Sequence, residues 1–245
     1  MGDRSTDLKA LVDIPPWEWP EGVGRLLLGI LGDHRADESD RLLAAELAGD
    51  FTIIDDRLAE ALLSMVRNGE EADELRSKAA ISLGPALEYA ATTGFEDADD
   101  ILVSEEVFLE VQQSLRELFL DGDVPRDVRR RILEASVRAP QDWHRGAIRA
   151  AYSSGDETWK LTSVCCMQFV SGFDDQILEA LASNDPEIEY QAVCAASAWE
   201  IDAAWPYIAA LVTGEATDKP LLLAAIEAVA SIRPEEASEI LGDLT

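Results

Sequence analysis

The sequence predicts an all-α protein built from repeated helix pairs. Short segments whose apolar residues recur every three or four positions alternate with polar breaks, and β-strand patterns are nearly absent. The pattern also returns about every 32 residues through most of the 245-residue chain. A fixed period of this length is typical of repeat architectures, in which each helix pair buries its apolar face against the next.

Six helix pairs and a closing helix are predicted in order along the chain. The first helix of each pair is expected at residues 23–33, 56–68, 104–120, 142–153, 174–184 and 204–214. The second helix is expected at residues 40–50, 75–85, 128–140, 159–172, 188–201 and 220–234. In these second helices, small or aliphatic residues form a stripe that suits packing between neighbours. A short helix at 235–244 would close the array.

Two segments depart from the period. The second helices end at intervals of 35, 55, 32, 29 and 33 residues, and we assign the excess in the long interval to an acidic insertion at 91–103. Residues 1–21 form an arm rich in Pro and Trp, which is expected to cap the first pair because prolines stiffen it and tryptophans offer apolar area. A peptide-like docking arm is the alternative. Residues 22–245 are expected to form one domain.

Several second helices and the turns before them share a local motif. The run NDPEI at 184–188 is followed by an Ala/Val stripe at 192–196, and this segment is similar to the turn and second helix of a HEAT repeat. Leu75-Arg76, with Ala79 and Ala80 behind it, and Val128-Arg129 match the aliphatic-Arg opening of that helix. Other repeats depart from it, because the arginine position holds Lys, Glu or Pro at 160, 189 and 220.

The resemblance implies a right-handed α-solenoid of about six antiparallel helix pairs. First helices would lie on the convex side and second helices would line the concave side. HEAT-like hydroxylases carry His-Glu dyads, which this chain lacks, and HEAT-like DNA glycosylases need a basic concave face. HEAT-like bilin lyases are a further neighbour, although nothing in the sequence points to a chromophore.

The charge balance restricts the partners. The chain carries 49 Asp+Glu against 20 Lys+Arg, a net charge of −29, and only four of the cations are lysines. This composition is typical of a salt-adapted, halophilic protein, because concentrated salt screens the self-repulsion. An acidic protein with a basic partner is the alternative. Binding to nucleic acid or to a membrane is disfavoured, because both need positive charge.

The location is expected to be cytoplasmic. No apolar run reaches the length that spans a bilayer, and the opening residues lack a basic segment followed by an apolar one. Three cysteines in apolar helical patterns indicate a reducing compartment and core packing.

One segment of this acidic chain has a net positive charge. Residues 126–149 hold seven arginines and three acids, a net charge of +4. These arginines either neutralise carboxylates within the fold, hold the insertion at 96–100, or receive an acidic partner. For a partner, the candidate binding residues are Arg131, Arg138, Trp143, Arg145 and Arg149.

No catalytic, metal or cofactor site is predicted. The two histidines, His34 and His144, are far apart in the sequence. Asp142 and His144 are two residues apart, so their side chains point in different directions on a helix. We therefore expect a non-enzymatic scaffold that binds another protein and has no cofactor. The alternatives are a HEAT-like enzyme or prosthetic-group assembly factor, and an acidic mimic of nucleic acid that binds a basic protein.

Overall fold

The fold is all-helical. The computed structural model describes residues 8–96, 101–214 and 217–242, and every regular element in these ranges is a helix, so the predicted all-α class is confirmed. The chain divides into two compact units, unit 1 (Met1–Ala139) and unit 2 (Pro140–Thr245). The single domain expected over 22–245 stays a prediction.

Unit 1 contains seven α-helices within residues 8–96 and 101–139. They are α1 (Val23–Gly32), α2 (Glu38–Ala48), α3 (Asp56–Arg67), α4 (Asp73–Ser82), α5 (Gly84–Thr93), α6 (Glu105–Leu120) and α7 (Arg126–Ser136). The predicted pairs α1/α2, α3/α4 and α6/α7 pack together, and the second helices also pack in series from α2 to α4 to α7. Leu27, Leu62 and Leu115 are fully buried at the centre of these contacts.

An arginine at the same register of α2 and α4 ties each helix pair together. Arg41 in α2 donates from Nη2 to the carbonyl of Leu31, and Arg76 in α4 donates from Nε to the carbonyl of Val66. Both acceptors lie ten residues earlier, near the end of the preceding first helix. Carbonyls at a helix C-terminus lack intrahelical partners, so a buried guanidinium there satisfies a group that burial would otherwise leave unpaired.

The helix α5 was not predicted. Gly84-Pro85 has the composition of a helix end, yet Pro85 lies in the first turn of α5, where a missing N–H costs nothing. The helix then buries Ala86, Leu87 and Ala90 and packs against α7. Much of the excess length therefore belongs to a helix that begins before the expected insertion at 91–103. Residues 97–100 of that insertion lie outside the described residues.

The N-terminal arm packs against α2. Its first 3₁₀ turn, Leu8–Leu11, contacts α2 and buries both leucines. Trp19 Nε1 donates to the carbonyls of Leu11 and Ile14, at 3.0 Å each, and so fixes the fold of the arm. Trp17, in contrast, is 76% exposed, so only one of the two tryptophans contributes packing.

The described part of unit 2 also contains seven α-helices. They are α8 (Asp142–Tyr152), α9 (Glu157–Cys166), α10 (Asp174–Leu181), α11 (Pro186–Ala198), α12 (Trp205–Thr213), α13 (Lys219–Ile232) and α14 (Pro234–Gly242). The pairs α8/α9, α10/α11 and α12/α13 pack together, and the second helices again contact one another from α9 to α11 to α13. The closing helix α14 packs on α13 and α12.

Acidic side chains start most helices in both units. The side chains of Asp37, Asp55, Asp156, Asp185 and Asp218 accept backbone N–H groups as N-caps. Ten of the fourteen α-helices also hold Asp or Glu in their first turn. Carboxylates stabilise these positions because the helix dipole and the free N–H groups attract negative charge. Part of the chain's negative charge therefore lies at helix N-termini, where it stabilises the helices.

Candidate functional site

The five residues predicted to bind a partner fall in different units. Arg131 and Arg138 belong to unit 1, whereas Trp143, Arg145 and Arg149 belong to unit 2. Each group has its own contacts, and the idea that they share one partner site stays a prediction.

The two arginines of unit 1 form ion pairs. Arg131 Nη1 pairs with Glu134, which also accepts from Arg130 Nη1 at 3.0 Å. Arg138 Nη1 pairs with Glu88 on α5. Both arginines therefore pair with carboxylates within the fold, which is one of the alternatives that the sequence left open.

The three residues of unit 2 contact their own helix and the loop after α9. Trp143 Nε1 donates to Gln141 Oε1 at 2.7 Å. Arg145 is exposed and its Nη2 donates to the carbonyl of Ser171 at 3.3 Å. The guanidinium carbon of Arg149 lies 5.8 Å from the centroid of the Phe173 ring, which is a cation–π distance. These contacts hold α8 against the loop.

His144 is a structural residue of α8. It is fully buried and stacks on Trp143 with ring centroids 3.8 Å apart. Its Nδ1 accepts the backbone N–H of Gln141 at 2.8 Å, which closes the first turn of the helix. Burial lowers the pKa of His144 to about 4, so the ring is neutral near pH 7. A buried neutral ring that already accepts a hydrogen bond is poorly suited to act as a general base.

A buried ion pair with a histidine beside it lies in unit 1. Arg41 and Glu71 form a two-pronged ion pair with both N–O distances at 2.7 Å, and their side chains are only 8% and 9% exposed. His34 Nδ1 lies 3.2 Å from Glu71 Oε1. The hydrogen bond from Arg41 lowers the pKa of Glu71 despite its burial. The cluster links the end of α1, the start of α2 and the turn before α4.

A groove of unit 2 was not predicted from the sequence. This groove, called the α11/α13 groove below, has a volume of about 630 Å³ and opens to solvent. It is lined by Gln168, Tyr190, Cys194, Ser197, Ala198, Lys219, Pro220, Leu223, Ala224 and Glu227. The volume lies in the range of ligand-binding clefts. Leu223 is 52% exposed at its surface, so apolar area faces solvent there.

The polar residues of the α11/α13 groove interact with one another. The Tyr190 hydroxyl and the Cys194 thiol lie one turn apart on α11, and each affects the pKa of the other. Burial raises the pKa of Cys194, and the nearby Glu227 carboxylate raises it further. The Cys194 thiolate and then burial raise the pKa of Tyr190. Both groups are therefore neutral near pH 7, and Cys194 is not an activated nucleophile.

A second groove lies in unit 1, between the arm and the ends of α2 and α4. Its volume is about 500 Å³, and Val12, Phe51 and Arg138 are among its lining residues. Val12 and Phe51 are 60% and 58% exposed. Unlike the α11/α13 groove, this one is bounded on one side by the chain's own N-terminal segment.

The described residues also limit other site chemistries. Within 8–96, 101–214 and 217–242, no group of three or more His, Cys, Asp or Glu is placed to hold a metal ion. In the same ranges, no helix combines the length and the apolar character needed to cross a membrane.

Comparison with known proteins gives little further information. No family model matches the chain, and no curated protein matches it. The chain is similar to an engineered protein whose crystal structure was determined by the Northeast Structural Genomics Consortium, with a TM-score of 0.44 and 18% identity. The alignment covers 96% of this chain and 63% of that one, so the chain spans less than two thirds of that protein's length.

Proposed function

We propose that this chain is a non-enzymatic, HEAT-like α-solenoid of about six helix pairs that binds a segment of another protein. Three features support the repeat architecture. Second helices pack in series within each unit, first helices pair with them, and the arginine-to-carbonyl bond recurs at one register in α2 and α4. Serial packing of this kind is the basis of solenoids, whose exposed second-helix face serves as a binding surface.

The observation that carries the binding role is the α11/α13 groove. It lies between two consecutive second helices, has a volume of about 630 Å³, and exposes Leu223 beside the half-buried Tyr190. Burial raises the pKa of its Cys194 thiol, which favours binding over covalent catalysis. The HEAT-like enzyme alternative would need an activated nucleophile, base or ligand set in such a groove.

The acidity is better explained by salt adaptation than by mimicry of nucleic acid. Acids begin helices throughout both units, in line with a general solvent-facing and helix-stabilising role. A mimic would instead concentrate them on one surface. We therefore propose a salt-adapted cytoplasmic scaffold, with a protein segment as its partner.

The binding role is tested by filling the groove. Ala224 is half-buried and lines it, so Ala224→Trp would occupy the space that a partner needs. Ala150→Trp adds the same ring at an exposed position of α8 outside the groove and serves as the matched control. In pull-downs from the source lysate at native ionic strength, the wild type and Ala150→Trp should retain a partner that Ala224→Trp loses. Equal recovery by all three folded proteins would contradict the proposal.

A further inference from the structure

Three exposed residues of α13 form a line along the α11/α13 groove. Lys219, Leu223 and Glu227 are spaced four residues apart, so they lie on one face of the helix. With a rise of about 1.5 Å per residue, the two charges at the ends of this line lie roughly 12 Å apart along the helix. Leu223, 52% exposed, stands midway between them.

Lys219 occupies a position that does not favour a cation. It lies at the first residue of α13, where the helix dipole favours acids, and most other helices of the chain have an acid in that turn. Lys78 and Lys160 form ion pairs with Glu46 and Glu179. Lys219 forms no ion pair with any residue that the structure describes. Helix stability therefore gives no reason for this cation.

Glu227 is the opposite charge at the other end of the groove. It is exposed and has no ion pair within the described part of the chain. It faces the Tyr190–Cys194 pair, whose pKa values its carboxylate raises. A cation placed here would meet an unneutralised carboxylate beside a largely apolar wall.

From this arrangement we infer that the groove binds an extended segment with an acidic and a basic side chain on either side of a bulky apolar one, in a fixed direction. The acid meets Lys219, the apolar side chain packs on Leu223, and the base meets Glu227. This inference rests on the proposed function, because it specifies the partner of the same groove.

The dimensions favour an extended segment. A strand advances about 3.3 Å per residue and points alternate side chains the same way, so the pattern acid-x-apolar-x-base spans roughly 13 Å on one face. This length is close to the roughly 12 Å that separates the two charges along α13. Reversing the segment would place like charges together at both ends.

Two labelled peptides test the inference. The forward peptide is Gly-Ser-Glu-Ser-Phe-Ser-Lys-Ser-Gly-Cys, and the reversed peptide exchanges its Glu and Lys. A free peptide could enter the groove in either chain direction, so each peptide is tethered through its C-terminal Cys to a cysteine introduced by Ser197→Cys at the groove. Cys165, Cys166 and Cys194 are replaced by Ala in this protein. Because both peptides are held from the same end, they differ only in the order of their charges. The readout is the fraction of docked peptide from amide chemical shifts of groove residues.

The expected result is a charge-dependent preference that the protein can invert. One tethered peptide should dock roughly fivefold to tenfold better than the other, as expected for two surface ion pairs replaced by two repulsions. The doubly substituted Lys219→Glu/Glu227→Lys protein should prefer the other peptide by a similar factor. Both preferences should shrink at about 1 M KCl, where charges are screened within roughly 3 Å.

The failure of this inference differs from the failure of the proposed function. Equal docking of both peptides, or no docking of either, would overturn the inferred partner pattern. If Ala224→Trp still lost the lysate partner, the groove would remain the binding site. Retention of that partner by Ala224→Trp would instead overturn the proposed function. Melting temperatures equal to that of the wild type would show that a loss of docking in a variant does not come from misfolding. The single variant Lys219→Gln, a smaller change than the double substitution, provides a further check.

Discussion

Protonation of His144 should make the protein less stable as the pH falls from about 6.5 to 4. The folded ring is buried and its pKa is lowered from 6.5 to about 4. Above pH 6.5 the ring is neutral in both the folded and the unfolded chain, so it imposes no penalty. Between the two values the unfolded chain binds a proton that the folded chain excludes, and the free energy of unfolding therefore decreases.

The size of the effect follows from the two pKa values. Each unit of difference corresponds to about 1.4 kcal/mol, so at pH 4.5 the expected loss is about 2.5 kcal/mol relative to pH 7.5. The carboxylates of this acidic chain also titrate in that range. The contribution of His144 to the free energy of unfolding is therefore measured by comparison with a variant that lacks this histidine.

The matched variant is His144→Gln, which keeps an acceptor for the Gln141 N–H group but does not titrate. Urea unfolding at both pH values, monitored by circular dichroism, should show that the wild type loses about 2.5 kcal/mol more than the variant on going to pH 4.5. His34→Gln is the control, since that side chain is 73% exposed. Parallel pH profiles for the wild type and His144→Gln, or an NMR titration that places His144 near pH 6.5, would refute the reasoning.

Two further predictions concern charge. Arg41→Met should lower the free energy of unfolding by about 3–5 kcal/mol, because it leaves the Glu71 carboxylate buried without its main partner. The double variant Arg41→Met/Glu71→Leu should recover most of that loss in urea titrations, and a single variant as stable as the wild type would contradict the pairing. The melting temperature of the whole chain, with its net charge of −29, should rise between about 0.1 and 2 M KCl, and a flat or falling curve would argue against salt adaptation.

The helices could be predicted from sequence because their periodicity is local. All twelve paired helices and the closing helix occur near the expected ranges, and Ala80 and Ala195, both taken as stripe residues, are fully buried. Ser104 caps α6 by accepting the N–H of Val107. The helix α5 was missed because Gly84-Pro85 carries the same local signal whether a helix ends or another begins.

The candidate site was harder to predict because it depends on tertiary packing. Arginine clustering at 126–149 is visible in the sequence, but the pairing of Arg138 with Glu88 joins residues fifty positions apart. The α11/α13 groove exists because two helices diverge enough to leave space, which no local pattern records. The four-residue spacing of Lys219, Leu223 and Glu227 is visible in the sequence, but it does not reveal the groove beside them.

The aspartates at the helix starts show that negative charge and helix capping are separable in this chain. Asn caps a helix about as well as Asp does. Aspartate gains additionally from the helix dipole only where salt does not screen it. Capping alone therefore leaves the choice of Asp over Asn at 37, 55, 156, 185 and 218 undetermined. These five positions are places where the chain's net charge can change by mutation while its helix boundaries stay where they are.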